Sequence, residues 1–427
     1  MPHTSHSSLS GRWLLWLAVL LAVTPAFATT TTPAAIDPVA ATDALLATLP
    51  ADARARSDAY FEGGYWLILW NFLLALGVAW LLLGTGISAK MRDFSTRVFK
   101  KRPLQVALYS VCYLVVLTLI MLPWNFYEGF LREHQYHMSN LTAGAWFGEQ
   151  AKSLIVSVMF FTPVLMLLYW ATRRSPERWW SRAALATPVL ILVLMVLAPV
   201  FIAPVFNTYR PLAAGPVRDY ILNLAHANGV PAENVYQFDA SKQTKRISAN
   251  VSGALGSIRV SLNDNLLNRC SPAEIRAVMA HELGHYVLNH VYKLTIYSSL
   301  LIAAGFAFTA WFFRVVHNRR GAAWGVTGID DPAGLPILAA GLAIFFFLAT
   351  PVNNSIVRST ESEADIFGLN AAGEPEGFAT TALKLAEYRK LAPGPWEEII
   401  FFDHPSGHSR ILMAMRWKAA HEASASK

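Results

Sequence analysis

The sequence predicts a mainly α-helical protein that crosses a membrane several times and carries a small α+β domain outside it. Three observations lead there. Of 427 residues, 54% are hydrophobic and only 15% charged, where a soluble chain carries about 25% charged residues, and the mean hydropathy is +0.36. About six apolar stretches approach the roughly 20 residues a helix needs to cross the hydrocarbon core. One long hydrophilic segment between them mixes helical and strand patterns.

The first 28 residues read as a secretory signal, with Arg12 as the basic start, 13–23 as the apolar core and Ala26-Phe27-Ala28 as the cleavage pattern. An uncleaved anchor is the other reading. Residues 29–60, rich in Ala, Thr and Pro, read as a flexible linker with a short helix around 43–49. Spans are then expected at 65–83, 104–122, 154–171 and 183–202, forming a four-helix membrane region over 61–205. A two-helix membrane hairpin follows over 294–351, with spans at 294–313 and 335–350. The segments 206–293 and 352–427 lie outside the bilayer.

The formal charge of +7 is concentrated in short loops beside the spans. Lys90, Arg92, Arg97, Lys100, Lys101 and Arg102 fill one loop; Arg173, Arg174, Arg178 and Arg182 another; Arg314, Arg319 and Arg320 a third. The positive-inside rule puts these loops in the cytoplasm, and so puts 207–293 and the C-terminal segment on the outer side. A signal peptide predicts the same orientation. This distribution accounts for the charge through membrane topology and gives no support to nucleic-acid binding. The only cysteines, Cys112 and Cys270, indicate neither a disulfide framework nor a cysteine metal site.

Within 206–293 a helical pattern over 217–225 ends near Gly229, and β-like runs follow at 235–238 and 257–262. Ser271-Pro272-Ala273-Glu274 then opens a helix: Ser271 can cap, Pro272 suits the first turn and Glu274 completes a capping box. That helix carries His281-Glu282-Leu283-Gly284-His285. Positions i and i+4 share a helix face, so both imidazoles can reach one tetrahedral zinc. Glu282, one residue along, can take a proton from a metal-bound water.

A third ligand is needed. Leu288 and Val291 occupy the places where an extended HExxH motif would have Gly and His. His290 misses that spacing and, on a continued helix, turns away from the pair. A carboxylate from a later helix remains. Glu361 lies 76 residues beyond His285 (361 − 285), with Asp365 four further on and on the same face. One can bind metal while the other orients a ligand histidine from behind. Glu363 points away from that pair and reads as solvated.

Taken in order, these pieces resemble the type-I CAAX prenyl proteases, integral-membrane zinc metalloproteases of the gluzincin type. The matching segments are Ile202-Ala203-Pro204-Val205-Phe206-Asn207, Asp239-Ala240-Ser241-Lys242, HELGHYVLNH over 281–290, the Glu361 to Asp365 run and His404-Pro405. The resemblance implies one zinc held by His281, His285 and Glu361, Glu282 as general base, and Asp365 supporting the ligands. It implies a ring of membrane helices around a water-filled chamber, with the zinc site facing inward. It also implies that Asn250 lies on a strand edge binding extended substrate, and that His404 steadies the oxyanion with Arg410 in support.

Tyr286, Val251-Ser252 and Ser406-Gly407 depart from the family's usual residues. Loop charge also places this site outside, where eukaryotic relatives face the cytoplasm, so a prenylated substrate does not follow. The expected function is a zinc-dependent endopeptidase of a bacterial-type inner membrane, its catalytic side facing the periplasm or exterior. Its partners would be a polypeptide substrate and the lipid bilayer. A non-catalytic membrane chaperone on the same fold is disfavoured by the intact HExxH and Glu361. A transporter is disfavoured by the scarcity of ionisable residues within the spans.

Overall fold

The computed structural model describes residues 36–252 and 258–425; the signal segment and the first part of the expected linker lie outside them. The rest of that linker is helical. Helix α1 (Pro38–Ala47) starts at Asp37, whose carboxylate accepts from the Val39 and Ala40 amides, with Pro38 in the first turn. Helix α2 (Ala51–Gly84) then runs without a break into the first span. Helix α1 is longer than the short one expected around 43–49: Leu45 and Leu46 pack against a core to which the C-terminal helix contributes Ile411, Ala414 and Met415. No local pattern announces that contact.

Among the described residues six helices are long and apolar enough to cross a membrane. They are α2, Arg102–Gln135, Ala143–Arg174, Trp179–Phe206, His290–Arg320 and Pro332–Ala372. Helix α3 (Ile87–Val98) joins the first two spans. Helix α4 (Arg102–Phe126) continues through a π-helical turn, Tyr127–Arg132. After it come α5 (Ala143–Arg174) and α6 (Trp179–Leu197). No span buries more than 33% of its apolar window and α6 buries none. The rest of each apolar window is left to face lipid or the interior of the helix frame. Trp66, Trp80, Leu119, Leu185 and Phe201 stand exposed, as lipid-facing side chains must.

The extramembrane domain holds four short strands, β1 (Tyr209–Pro211), β2 (Val235–Phe238), β3 (Ala249–Ser252) and β4 (Arg259–Asn263). Their order is β1-β2-β4-β3, with β2 and β4 parallel and the other pairs antiparallel. Strand β3 is therefore an edge. Ile221 and Leu224 of α7 (Pro216–Ala227) pack under the sheet. The same core takes in Val235, Val260, Leu262 and, from α9 (Pro272–Val287), Met279 and Leu283. Burying each such side chain is worth about 1.5–3 kcal/mol. A short α8 (Asp264–Arg269) leads into α9.

Two long helices complete the frame. Helix α10 (His290–Arg320) crosses back, and α11 (Leu335–Ala372) carries the last span. The sequence suggested a span ending at 350 with Glu361 just beyond it; α11 runs 38 residues without interruption and carries both. Pro351 sits inside it without ending it. The basic loops gather at one end of this frame, where Arg92 pairs with Asp331 at 2.6 Å, just before α11. Glu361 lies 26 residues (361 − 335) along the helix, about 39 Å away at 1.5 Å per residue. The chain closes with α12 (Pro375–Leu385), α13 (Pro395–Phe401) and α14 (Gly407–Ala425).

Candidate metal centre

Helix α9 begins as its sequence dictates. Ser271 Oγ accepts from the Glu274 amide at 3.3 Å, and the Glu274 carboxylate accepts from the Ser271 amide at 2.6 Å. The helix so fixed presents His281 and His285 one turn apart, their Nε2 atoms separated by 3.1 Å. From α11, Glu361 Oε2 lies 3.2 Å from His281 Nε2 and Oε1 lies 3.5 Å from His285 Nε2. A tetrahedral zinc with bonds of 2.0–2.1 Å holds its ligand atoms about 3.3 Å apart. The three side chains fit one such ion. Glu361 Oε2 is buried and makes no well-aligned hydrogen bond among the described residues, as suits an oxygen facing a cation site.

Glycine sets the approach of the two helices. A Cβ at Gly368 of α11 would sit 3.0 Å from the His281 amide nitrogen and 3.1 Å from its Cα. Gly368→Ala is therefore expected to push α11 off α9 by a few tenths of an ångström and cost about 1–3 kcal/mol. Zinc affinity should fall with it, measurable by competition against a chromophoric chelator. Unchanged affinity would show that the trio tolerates the shift.

Each of the two histidines has a neighbour at its Nδ1. His281 Nδ1 is 2.8 Å from Asp365 Oδ1, which leaves Nε2 free to bind metal. Asp365 is fully buried and also takes the Arg410 guanidinium through Nε at 2.9 Å and through Nη2. His285 Nδ1 is 3.0 Å from His290 Nδ1, and His290 Nε2 is 3.1 Å from Glu363 Oε2. Lys293 Nζ holds the other oxygen of Glu363 at 2.6 Å. The sequence reading, which turned His290 away and left Glu363 to solvent, is corrected here. Asn289 has φ 57° and ends α9 in the left-handed region. The next helix therefore starts with a new phase that returns His290 to His285.

Burial sets the electrostatics. It pushes the Glu282 carboxyl up to about 7, in the range of a general base at neutral pH. Burial also pulls the His285 imidazolium down, to about 4, with the charge of His281 adding to the effect. At His281 burial acts in the same direction, but the Asp365 and Glu361 carboxylates outweigh it and raise its pKa.

A cavity of about 260 Å³ opens over these groups, lined by Glu282, Ser248, Arg389, His404 and Arg410 as well as the trio. His404, on the loop after α13, places Nε2 3.3 Å from Glu361 Oε2, while Nδ1 contacts Asp403 Oδ1 at 2.8 Å. The structure thus brings together His281, Glu282, His285, Glu361, Asp365, His404 and Arg410. Asn250 does not line the cavity; it lies on edge strand β3, just past the lining residues Ile247, Ser248 and Ala249. Arg389 was missed by sequence reasoning, since it stands in no recognisable motif.

Fold and site together define a membrane-embedded metalloprotease. Residues 211–418 match the model of peptidase family M48, and residues 39–208 that of the CAAX prenyl protease N-terminal region, described as five membrane helices. Four of the long apolar helices fall within or closely overlap that second segment among the described residues. An uncharacterized metalloprotease, YhfN, of Bacillus subtilis is 30% identical over 361 residues, covering 82% of this chain and 84% of its own. CAAX prenyl protease 1 of Saccharomyces cerevisiae is 33% identical over 196 residues, 45% of this chain and 43% of that protein. The crystal structure of S. mikatae Ste24p superposes with a TM-score of 0.73 at 22% identity, covering 87% of this chain and 90% of that one. The two share a chambered helical fold. The chain belongs to peptidase family M48.

Proposed function

We propose that the protein is a zinc-dependent endopeptidase that hydrolyses peptides or exported and membrane proteins. The reading is carried by the 3.1, 3.2 and 3.5 Å separations among the donor atoms of His281, His285 and Glu361, with a buried carboxyl, Glu282, beside them. Bound there, zinc supplies Lewis acidity toward a water and toward the scissile carbonyl. Glu282 accepts the proton of the attacking water and passes it to the leaving amine. His404, steadied through Nδ1 by Asp403, donates from Nε2 to the oxyanion. Arg410, anchored on Asp365, adds positive charge on the same side.

The substrate backbone enters as an extended strand against the open edge of β3, with Asn250 on that strand. The catalytic side faces the periplasm or exterior of a bacterial-type inner membrane. This orientation is supported by the basic loops, which sit at the end of α11 opposite Glu361. The yeast relative carries prenyl protease in its name, but an outward site meets exported chains instead.

Metal removal is the test. Detergent-solubilised protein should contain about one zinc per chain and cleave an unfolded reporter protein. A strong chelator should abolish cleavage and added zinc restore it. Cleavage that persists after complete removal of metal overturns the reading.

A further inference from the structure

Two guanidinium groups reach the cavity that holds Glu282. Arg410 is engaged along its Nε–Nη2 edge by both oxygens of Asp365. Arg389, a few residues after α12, is not: among the described residues no carboxylate lies within 4.0 Å of it and its side chain makes no hydrogen bond. Other partly buried arginines nearby behave differently. Arg246 holds Glu133 at 2.8 Å, and Arg358 donates to the Glu398 carbonyl at 2.8 Å. A guanidinium cannot shed its proton at physiological pH, so Arg389 stays charged. Burial lowers its pKa, with Asp403 and Glu361 too distant to satisfy it directly. Arg389 also lines the adjoining smaller recess beside Asp403, Pro405 and Ser406. The fold thus keeps a planar, bidentate donor, with no hydrogen-bonded or ion-paired partner among the described residues, in the lining of the catalytic cavity and its adjoining recess.

We propose that Arg389 binds a carboxylate of the substrate polypeptide and so selects which peptide bond lies over Glu282. The ligand is either the substrate's C-terminal carboxylate or an Asp or Glu side chain, since both present the same two-oxygen fork to a guanidinium. This rests on the peptidase reading of the site. Arg389 is a specificity residue, separate from the groups that handle the proton and the oxyanion.

The test uses the full-length protein in detergent with three matched peptides: a C-terminal free acid, its C-terminal amide, and the amide with one internal Gln changed to Glu. A charge-assisted bidentate contact is worth roughly tenfold to a hundredfold. Wild type should favour a carboxylate-bearing peptide by about that ratio in kcat/KM, mostly through KM. Arg389→Gln should bring the ratio to about one, and Arg389→Lys should leave an intermediate ratio. Each ratio is internal to one variant, so a loss of folded protein cancels. Preference for the free acid alone identifies the C-terminal carboxylate; preference for the Glu peptide alone identifies an acidic side chain. A wild-type ratio of about one, or a ratio that survives Arg389→Gln, overturns the proposal. Equilibrium binding of the same peptides to Glu282→Gln protein separates the two readings. Discrimination in binding with no cleavage by wild type would keep Arg389 and remove the peptidase assignment. Cleavage without discrimination would do the reverse.

Discussion

Replacing Glu282 by Gln is expected to lower kcat by about 10²–10⁴-fold while zinc content stays unchanged. Glutamine keeps the shape of the side chain but has no carboxylate to accept a proton. Glu282 is not among the three donors grouped around the candidate ion, so the metal should remain. Its burial raises its pKa to about 7, which suits the proposed role of taking a proton from water and returning it to an amine. Burst-free steady-state cleavage of the reporter, with metal analysis on the same sample, checks both parts. Wild-type turnover in the variant would mean that another group moves the proton. Loss of zinc together with activity would mean that Glu282 helps to hold the ion.

Asp365→Ala should have the second largest effect, on a different quantity. Asp365 is fully buried and Arg410 nearly so, with side-chain exposures of 0% and 11%. Removing the carboxylate leaves a buried guanidinium without its partner, a loss of about 3–5 kcal/mol. It also frees the His281 ring, for which the expected drop in zinc affinity is about 10–100-fold. Denaturation in detergent and chelator competition measure the two separately. The double change Asp365→Ala with Arg410→Met should recover part of the stability but not the affinity. Normal stability in the single variant would show that Asp365 does not carry this charge.

What could be read from the sequence follows from where each signal resides. The spans are legible because lipid demands long apolar runs, whatever the neighbours. The α9 start, His281, Glu282 and His285 are legible because capping and i,i+4 geometry are local. Glu361 and Asp365 show as a pair, although the sequence alone does not say that their helix is the span itself. His290 was misread because one left-handed residue, Asn289, resets the helical phase. Glu363 was misread because its partners His290 and Lys293 come from another helix. The helix at 38–47 depends on contacts with the far end of the chain. Arg389 is informative only through the partner it lacks, and no string of residues displays that.

The continuity of α11 ties together two quantities that proteins usually adjust independently. One rod sets both the reach across the bilayer and the azimuth of Glu361. Deleting one residue between the apolar half and Glu361 would swing that carboxylate by about 100° and draw it back by about 1.5 Å. A seven-residue change nearly restores the angle but displaces the group by about 10 Å. With Glu361 as the proposed third ligand, the length of this span is tied to the metal site at its far end. A member of the lineage living in a thicker or thinner membrane must absorb the difference by tilting the whole bundle or lengthening its other helices.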